Sequence, residues 1–265
     1  MTEPRPVTGS RDCDVPLSLP LSIVVPMLNE AAALPGLLAH LAGWRRRGCE
    51  VVLVDGGSRD DSVAIARAAG LRVVTTERGR ARQMNAGARA CSGAILLFLH
   101  ADTRLPEAAD AMVRAALGGA ARGLAGHSPA AASPAKAPRV AQSPPAWGRF
   151  DVSIDGSPRM LRVVAALMNL RSRLSGIATG DQAMFVGRDA FEAVGGFPDQ
   201  PLMEDIELSR RLLHVSRPAC LRARVTTSGR RWEQRGVWRT IALMWRLRWA
   251  YWRGVPAEVL AEAYR

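Results

Sequence analysis

Asp55-Gly56-Gly57-Ser58, His100-Ala101-Asp102 and Glu204-Asp205 each place carboxylates where an apolar run meets a polar stretch. A carboxylate at a strand tip accepts hydrogen bonds from a ribose or a base. Asp55 has that position, and the glycines after it permit a tight turn. Asp60, a few residues on, reads as a helix cap. His100 and Asp102 stand at i and i+2, which on an extended segment puts both side chains on one side. Asp102 suits Mg²⁺ or Mn²⁺ bridging a diphosphate, and His100 tilts the choice toward Mn²⁺. His100 taken alone reads equally well as a packed histidine. Glu204 and Asp205 open a helical pattern, where the dipole keeps carboxylates ionised and able to take a proton from a hydroxyl. Glu207 reads as the partner of Arg211 one turn on. Arg78 to Asn85 enters another helix, with Arg82 and Asn85 on one face as donors to a phosphate or polar base. Gly229-Arg230-Arg231-Trp232 can bring guanidinium groups to a departing diphosphate. Each cluster also has a plain structural reading, as a cap, an acidic helix start or a solvated basic face.

The elements that would position these residues alternate along the chain. Strands are expected at 21–26, where Pro26 stops a β-branched run, and at 49–55, 71–76 and 94–102. Helices are expected at about 30–44, 60–69, 81–91 and 106–117. Short βα units of this kind give an α/β fold, a mostly parallel sheet with right-handed crossovers and helices on both faces. Ligands then bind outside the carboxyl ends of the strands, the edge where Asn29-Glu30, Asp55 and His100 to Asp102 would meet. Further on, helices are expected at 158–174, 203–214, 236–253 and 256–264, with strands at 183–187 and 219–225. Residues 1–18 read as a flexible leader. Residues 118–147, rich in Ala, Ser and Pro, read as a disordered insertion.

The 265 residues include 48% hydrophobic and 23% charged types, which excludes wholesale disorder, collagen and coiled coil. The net charge is +12 and Lys136 is the only lysine, so the basic charge is almost all arginine. Such a field suits anionic partners, and codon bias produces it equally well. Cys13, Cys49, Cys91 and Cys220 form no CxxC pair, which fits a reducing compartment. With no apolar stretch of spanning length, the expected location is cytoplasmic, with a peripheral place at the inner membrane face left open. Trp238, Trp245, Trp249 and Trp252 share one face of the 236–253 helix among arginines. Stripes of this kind are more often core, and the composition also suits a membrane interface.

PMLNE at 26–30, DGGSRDDS at 55–62, HAD at 100–102, GGFPD at 195–199 and the Glu204-Asp205 pair, in that order, resemble a family 2 glycosyltransferase of the GT-A fold. The likeness covers about residues 20–255. RARQMNAGA, GDQAMFV, PLMEDIELSRRL and RRWEQRGVWRT further resemble a bacterial subgroup associated with radical-SAM and selenium-domain proteins. The resemblance implies a GT-A (Rossmann-like) domain over 19–235 followed by a C-terminal helical segment over 236–265. It also implies an inverting, metal-assisted transfer from a nucleotide sugar, UDP by default, to a hydroxyl acceptor. It assigns Asp205 as general base with Glu204 beside it. Pro26, Asn29, Glu30, Asp55, Gly57, Arg82, Asn85, Asp102 and Arg231 fall on the donor side, with Asp102 and His100 at the Mn²⁺ or Mg²⁺. Gly180, Asp181, Gln182 and Trp232 fall on the acceptor side. Two positions depart from the family pattern: His100 replaces the first Asp of a DxD motif, and Met84 stands where an Arg commonly precedes the Asn of the third helix. A nucleotidyltransferase would want a glycine-rich, lysine-bearing loop after the first strand, where this chain has Pro26 to Glu30. A non-catalytic nucleic-acid or membrane binder is opposed, for nucleic acid, by carboxylates that repel phosphates, so no nucleic-acid partner is expected.

Overall fold

The computed structural model describes residues 19–124 and 144–264. The leader expected over 1–18 and most of the insertion expected over 118–147 lie outside the described residues. The first half of the chain alternates β1 (Leu21–Met27), α1 (Leu34–Arg46), β2 (Glu50–Asp55), α2 (Ser62–Ala68), β3 (Arg72–Thr75), α3 (Arg80–Ala90), β4 (Ile95–Phe98), β5 (Thr103–Arg104) and α4 (Ala109–Leu124). The second half contains β6 (Trp147–Asp155), α5 (Met160–Ser175), a 3₁₀ turn at Gly180–Gln182, β7 (Phe185–Gly187), α6 (Arg188–Ala193), α7 (Glu204–Leu213), β8 (Ala219–Ser228), α8 (Arg230–Arg235), α9 (Val237–Trp252) and α10 (Ala257–Tyr264). One sheet of eight strands runs β3-β2-β1-β4-β7-β6-β8-β5. The first four strands are parallel, β7 opposes both β4 and β6, β6 runs parallel to β8, and β5 opposes β8.

The period-2 alternation of a strand explains why β1, β2 and β4 are apolar throughout. Ile23, Val25, Leu53 and Leu97 face one layer with Leu34, Leu37 and Leu41 of α1. Val24, Val52, Val54, Leu96 and Phe98 face the other, against Met84 of α3 and Leu208 and Leu212 of α7. α3 lies close on this face because Gly87 has no side chain; a Cβ there would collide with Val24 and Val54.

Four expectations are corrected. Pro26 does not end β1, which pairs with β2 through Met27. Val24 O accepts Leu99 N–H on the β4 side, so Pro26 turns its missing donor the same way, past the point where β4 has ended. The strand expected through residue 102 stops at Phe98, so His100 to Asp102 lie in a turn and the i, i+2 argument does not apply to them. α4 continues to Leu124, into the stretch read as an insertion. The tryptophan stripe of α9 is not core. Leu247 packs with Met203 and Leu260, supported by Leu243, Met244 and Tyr251, while Trp238, Trp245, Trp249 and Trp252 remain 60–80% exposed. None of the described helices is long and apolar enough to cross a membrane.

β6 and α5 are joined by a buried polar network. Arg149, fully enclosed, pairs with Asp151, whose other oxygen accepts from Arg173 Nη2 at 2.6 Å. Asn169 bonds Val152 through both backbone groups, at 2.8 and 3.0 Å. Cys49, Cys91 and Cys220 are free thiols.

Candidate active site

The loops after β1 and β2 are tied together by their own hydrogen bonds. Asn29 Oδ1 accepts Arg59 N–H at 2.8 Å, and its own N–H donates to Ser58 Oγ at 2.9 Å. Glu30 N–H donates to Ser62 Oγ, and Ala31 N–H to Asp60 Oδ2. Asp60 also accepts from Ser62 N–H, so it locks the turn ahead of α2. Asp55 is buried and accepts from Gly57 N–H at 3.0 Å and Ser58 N–H at 3.1 Å, a turn that needs Gly57 at φ 89°. The expectation that a strand-end carboxylate has little structural work is therefore corrected for Asp55. Beneath these loops the Gln83 amide donates to Met27 O and Val54 O, both at 2.8 Å. It satisfies two carbonyls at the strand ends that sequence reasoning had not assigned.

Glu30 and Asp102 approach each other at this edge. Burial and then the Asp102 charge push the Glu30 carboxyl above its ordinary range. Asp102 itself is exposed. His100 Nδ1 lies 3.4 Å from Asp181 Oδ1. Burial alone would raise the Asp181 carboxyl, but the hydrogen bond and charge of His100, with Arg80 and Arg231, hold it below the usual carboxylate range. Gly180 abuts the imidazole so closely that a Cβ would sit 2.5 Å from it. Gly180 N–H then donates to Asp205 Oδ2 at 2.8 Å, while Ile206 N–H donates to Asp205 Oδ1 at 2.7 Å. Glu204 is buried beside Asp205, and burial followed by that neighbour's charge raises its carboxyl. The helix-start dipole expected to favour ionisation of both carboxylates is opposed at Glu204 by its loss of water. Three non-glycine residues with positive φ, Asn29 (54°), Ala183 (45°) and Met203 (66°), stand next to these groups, so backbone strain is concentrated at the site.

A narrow cavity between α3 and α7 is lined by Arg80, Met84, Phe98, His100, Glu204 and Asp205 among others. Arg80 lies on the same α3 face as Met84, and its charge reaches Glu30, Asp181 and Glu204. Arg231 is near enough to respond to Arg80, Asp181 and Asp102, although burial is the largest influence on it. Arg82 and Asn85, the expected donor contacts, are used elsewhere. Arg82 Nε pairs with Asp199 at 2.8 Å and its Nη1 with Glu77, and Asn85 clamps both backbone groups of Phe197. Both hold the 195–199 loop. Gln182, expected on the acceptor side, is fully buried and caps its own turn with Thr179. Trp232, also expected there, packs against the main core. Sequence reasoning missed Arg171 on α5 and Arg248 on α9, both of which feel the Asp205 charge. Glu207 pairs with Arg211 at 3.4 Å as its spacing implies.

Among the described residues no three His, Cys, Asp or Glu side chains form a ready-made metal cage. The donor set fits a cation that arrives with a diphosphate: an exposed Asp102 carboxylate, the remaining ligands being phosphate oxygens and water, while the expected second ligand His100 has its Nδ1 turned to Asp181.

Residues 22–133 match the model of the family described as glycosyl transferase family 2, a little under half of the chain. The chain carries a family 2 glycosyltransferase domain. Over 102 residues the chain is 41% identical to a PGL/p-HBAD biosynthesis glycosyltransferase of Mycobacterium bovis (strain BCG / Pasteur 1173P2). That alignment spans 36% of this chain and 40% of the relative. A solved structure of S. aureus TarS 1–349 in complex with UDP-GlcNAc superposes with a TM-score of 0.57 at 16% identity, over 79% of this chain and 58% of the other. The mannosyltransferase PcManGT from Pyrobaculum calidifontis, in complex with GDP-Man and Mn²⁺, gives 0.55 at 20% identity, over 88% and 61%. At these identities the likeness is one of fold, and the fold is GT-A.

Proposed function

We propose that this glycosyltransferase moves a sugar from a nucleoside diphosphate sugar to a hydroxyl acceptor by an inverting, in-line displacement, with Asp205 as general base. The observation that carries the reading is the Asp205 carboxylate, fixed by Ile206 N–H and by the N–H of Gly180, whose chain neighbour Asp181 pairs with His100. Both Asp205 oxygens are oriented by main-chain donors and keep lone pairs free for an acceptor hydroxyl. UDP is the nucleotide supported by the motif resemblance and by the ligand of the S. aureus neighbour. The narrower kinship with the radical-SAM and selenium-domain-associated transferases rests on the motifs alone.

The residues of this chain divide the work. Asp102 would hold the Mn²⁺ or Mg²⁺, which when bound would neutralise the departing diphosphate, and His100 would position Asp181 beside it. Arg80 and Arg231 supply fixed positive charge on the same side, where negative charge gathers as the bond to the anomeric carbon breaks. Asp205 takes the proton of the acceptor hydroxyl as that oxygen attacks from the opposite face. Burial and the Asp205 charge oppose ionisation of Glu204, which limits a second negative charge beside the base.

Asp205→Asn keeps the shape and loses the base, so turnover should fall about 10²–10⁴-fold. The rise in melting temperature with UDP and Mn²⁺ should stay at the wild-type value. Near-normal transfer by this variant would overturn the assignment. Chelation by EDTA should remove most of the melting shift given by UDP, and a shift indifferent to the chelator would remove the metal from the account.

A further inference from the structure

A second helix shares the odd feature of α9. α5 exposes Val163, Leu167, Leu170 and Leu174 by 49–72%, at spacings of four, three and four residues that keep them on one face. At 100° per residue, each helix has an arginine roughly 70° around from its apolar stripe, Arg171 on α5 and Arg248 on α9. Both guanidinium groups are close enough to feel the Asp205 charge, and Arg171 also feels that of Arg248. Both helices thus carry an arginine to the neighbourhood of Asp205 and an exposed apolar stripe on an adjoining face. Arg171 Nε and Nη2 are buried with no hydrogen-bond partner, and burial with the Arg248 charge pushes its pKa down to about 10. The rim of the face carries exposed Arg162, Arg239, Arg246 and Arg253, the last stacked 5.1 Å from the Trp249 ring.

Tryptophan and arginine side by side suit a bilayer interface, with indole at headgroup depth and guanidinium at the phosphates. A second copy of this chain fits less well, since two arginine-rimmed faces repel. We propose that α5 and α9 form one platform that seats on an anionic lipid bilayer and brings Asp205 to headgroup depth, where the acceptor hydroxyl is borne by a lipid. The lipid-borne acceptor rests on the transferase reading; the docking does not.

Co-sedimentation with phosphatidylcholine vesicles, with and without phosphatidylglycerol, tests the platform. The full chain should partition onto the anionic vesicles, less so as salt rises. Leu170→Glu with Leu174→Glu on α5, and separately Trp245→Glu with Trp249→Glu on α9, should each cut the bound fraction about tenfold or more. All four positions are exposed, so thermal melts should match wild type, and the UDP–Mn²⁺ melting shift should persist. No binding to anionic vesicles, or an α5 pair without effect, overturns the proposal. So does a dimer seen by light scattering that dissociates on these substitutions. Vesicle binding in a chain that shows no UDP shift would sink the transferase reading and leave the platform standing.

Discussion

Glu204 is buried beside Asp205, so its carboxyl keeps a proton to higher pH than a free glutamic acid side chain does. A group whose pKa is raised by folding supports the fold while protonated. Its contribution is full below the unfolded value and is lost as pH rises through the folded one. Glu204→Gln is neutral at every pH, so it should melt above wild type at mildly alkaline pH, by about 2–4 °C if roughly 1 kcal/mol is recovered. The two curves should converge in acid, and thermal melts across that range read the difference; equal melting points in alkali would mean that Glu204 ionises without cost. Arg80 and Arg82 allow a sharper contrast. Arg80→Ala removes a cation from the cavity and should weaken UDP binding by calorimetry about tenfold, the order expected for a charged hydrogen bond. Arg82→Ala should leave UDP affinity unchanged, because its guanidinium is held by Asp199 and Glu77. Helical spacing alone did not distinguish the two: both faces of α3 are polar in sequence, and the choice depended on where the 195–199 loop lies. Asp55 misled in the same way, since nothing in its sequence separates a carboxylate awaiting ligand from one already bonded to the next two N–H groups.

Among elements, the strand ends depend on Gln83 and the β6–α5 contact on Asp151. Gln83→Ala leaves Met27 O and Val54 O without their donor and should cost about 1–3 kcal/mol in urea unfolding. Asp151→Ala leaves Arg149 buried and unpaired and should cost about 3–5 kcal/mol. A loss under 1 kcal/mol in either variant would mean that water takes the vacated place. The parallel half of the sheet was legible in the sequence because β1, β2 and β4 are buried on both faces and read as unbroken apolar runs. The end of β4 was not legible: Leu99 prolongs the apolar run, yet the strand ends at Phe98. α6 and α8, six residues each, are too short for helical periodicity to register. The outer stripe of α5 was hidden for another reason. Val163, Leu167 and Leu170 interleave with Leu161, Val164 and Ala165, which do face the core, and only tertiary packing separates the two sets.

For the whole molecule, the charge of +12 should show as weak DNA retention at low salt that fades steeply as salt rises, while the UDP–Mn²⁺ melting shift persists. Retention that survives high salt would favour a nucleic-acid binder over the transferase. The strand order carries a different consequence. β7, which pairs with β4 on one side and β6 on the other, is made some ninety residues after β4, and β6 also needs β8, later still. A nascent chain whose synthesis has reached α4 therefore presents Ile95 to Phe98 as an open apolar edge, which is sealed only when residues 185–187 leave the ribosome. Premature termination anywhere in that interval yields a product able to stack edge to edge, so the hazard in making this protein falls in the middle of translation, not at its close.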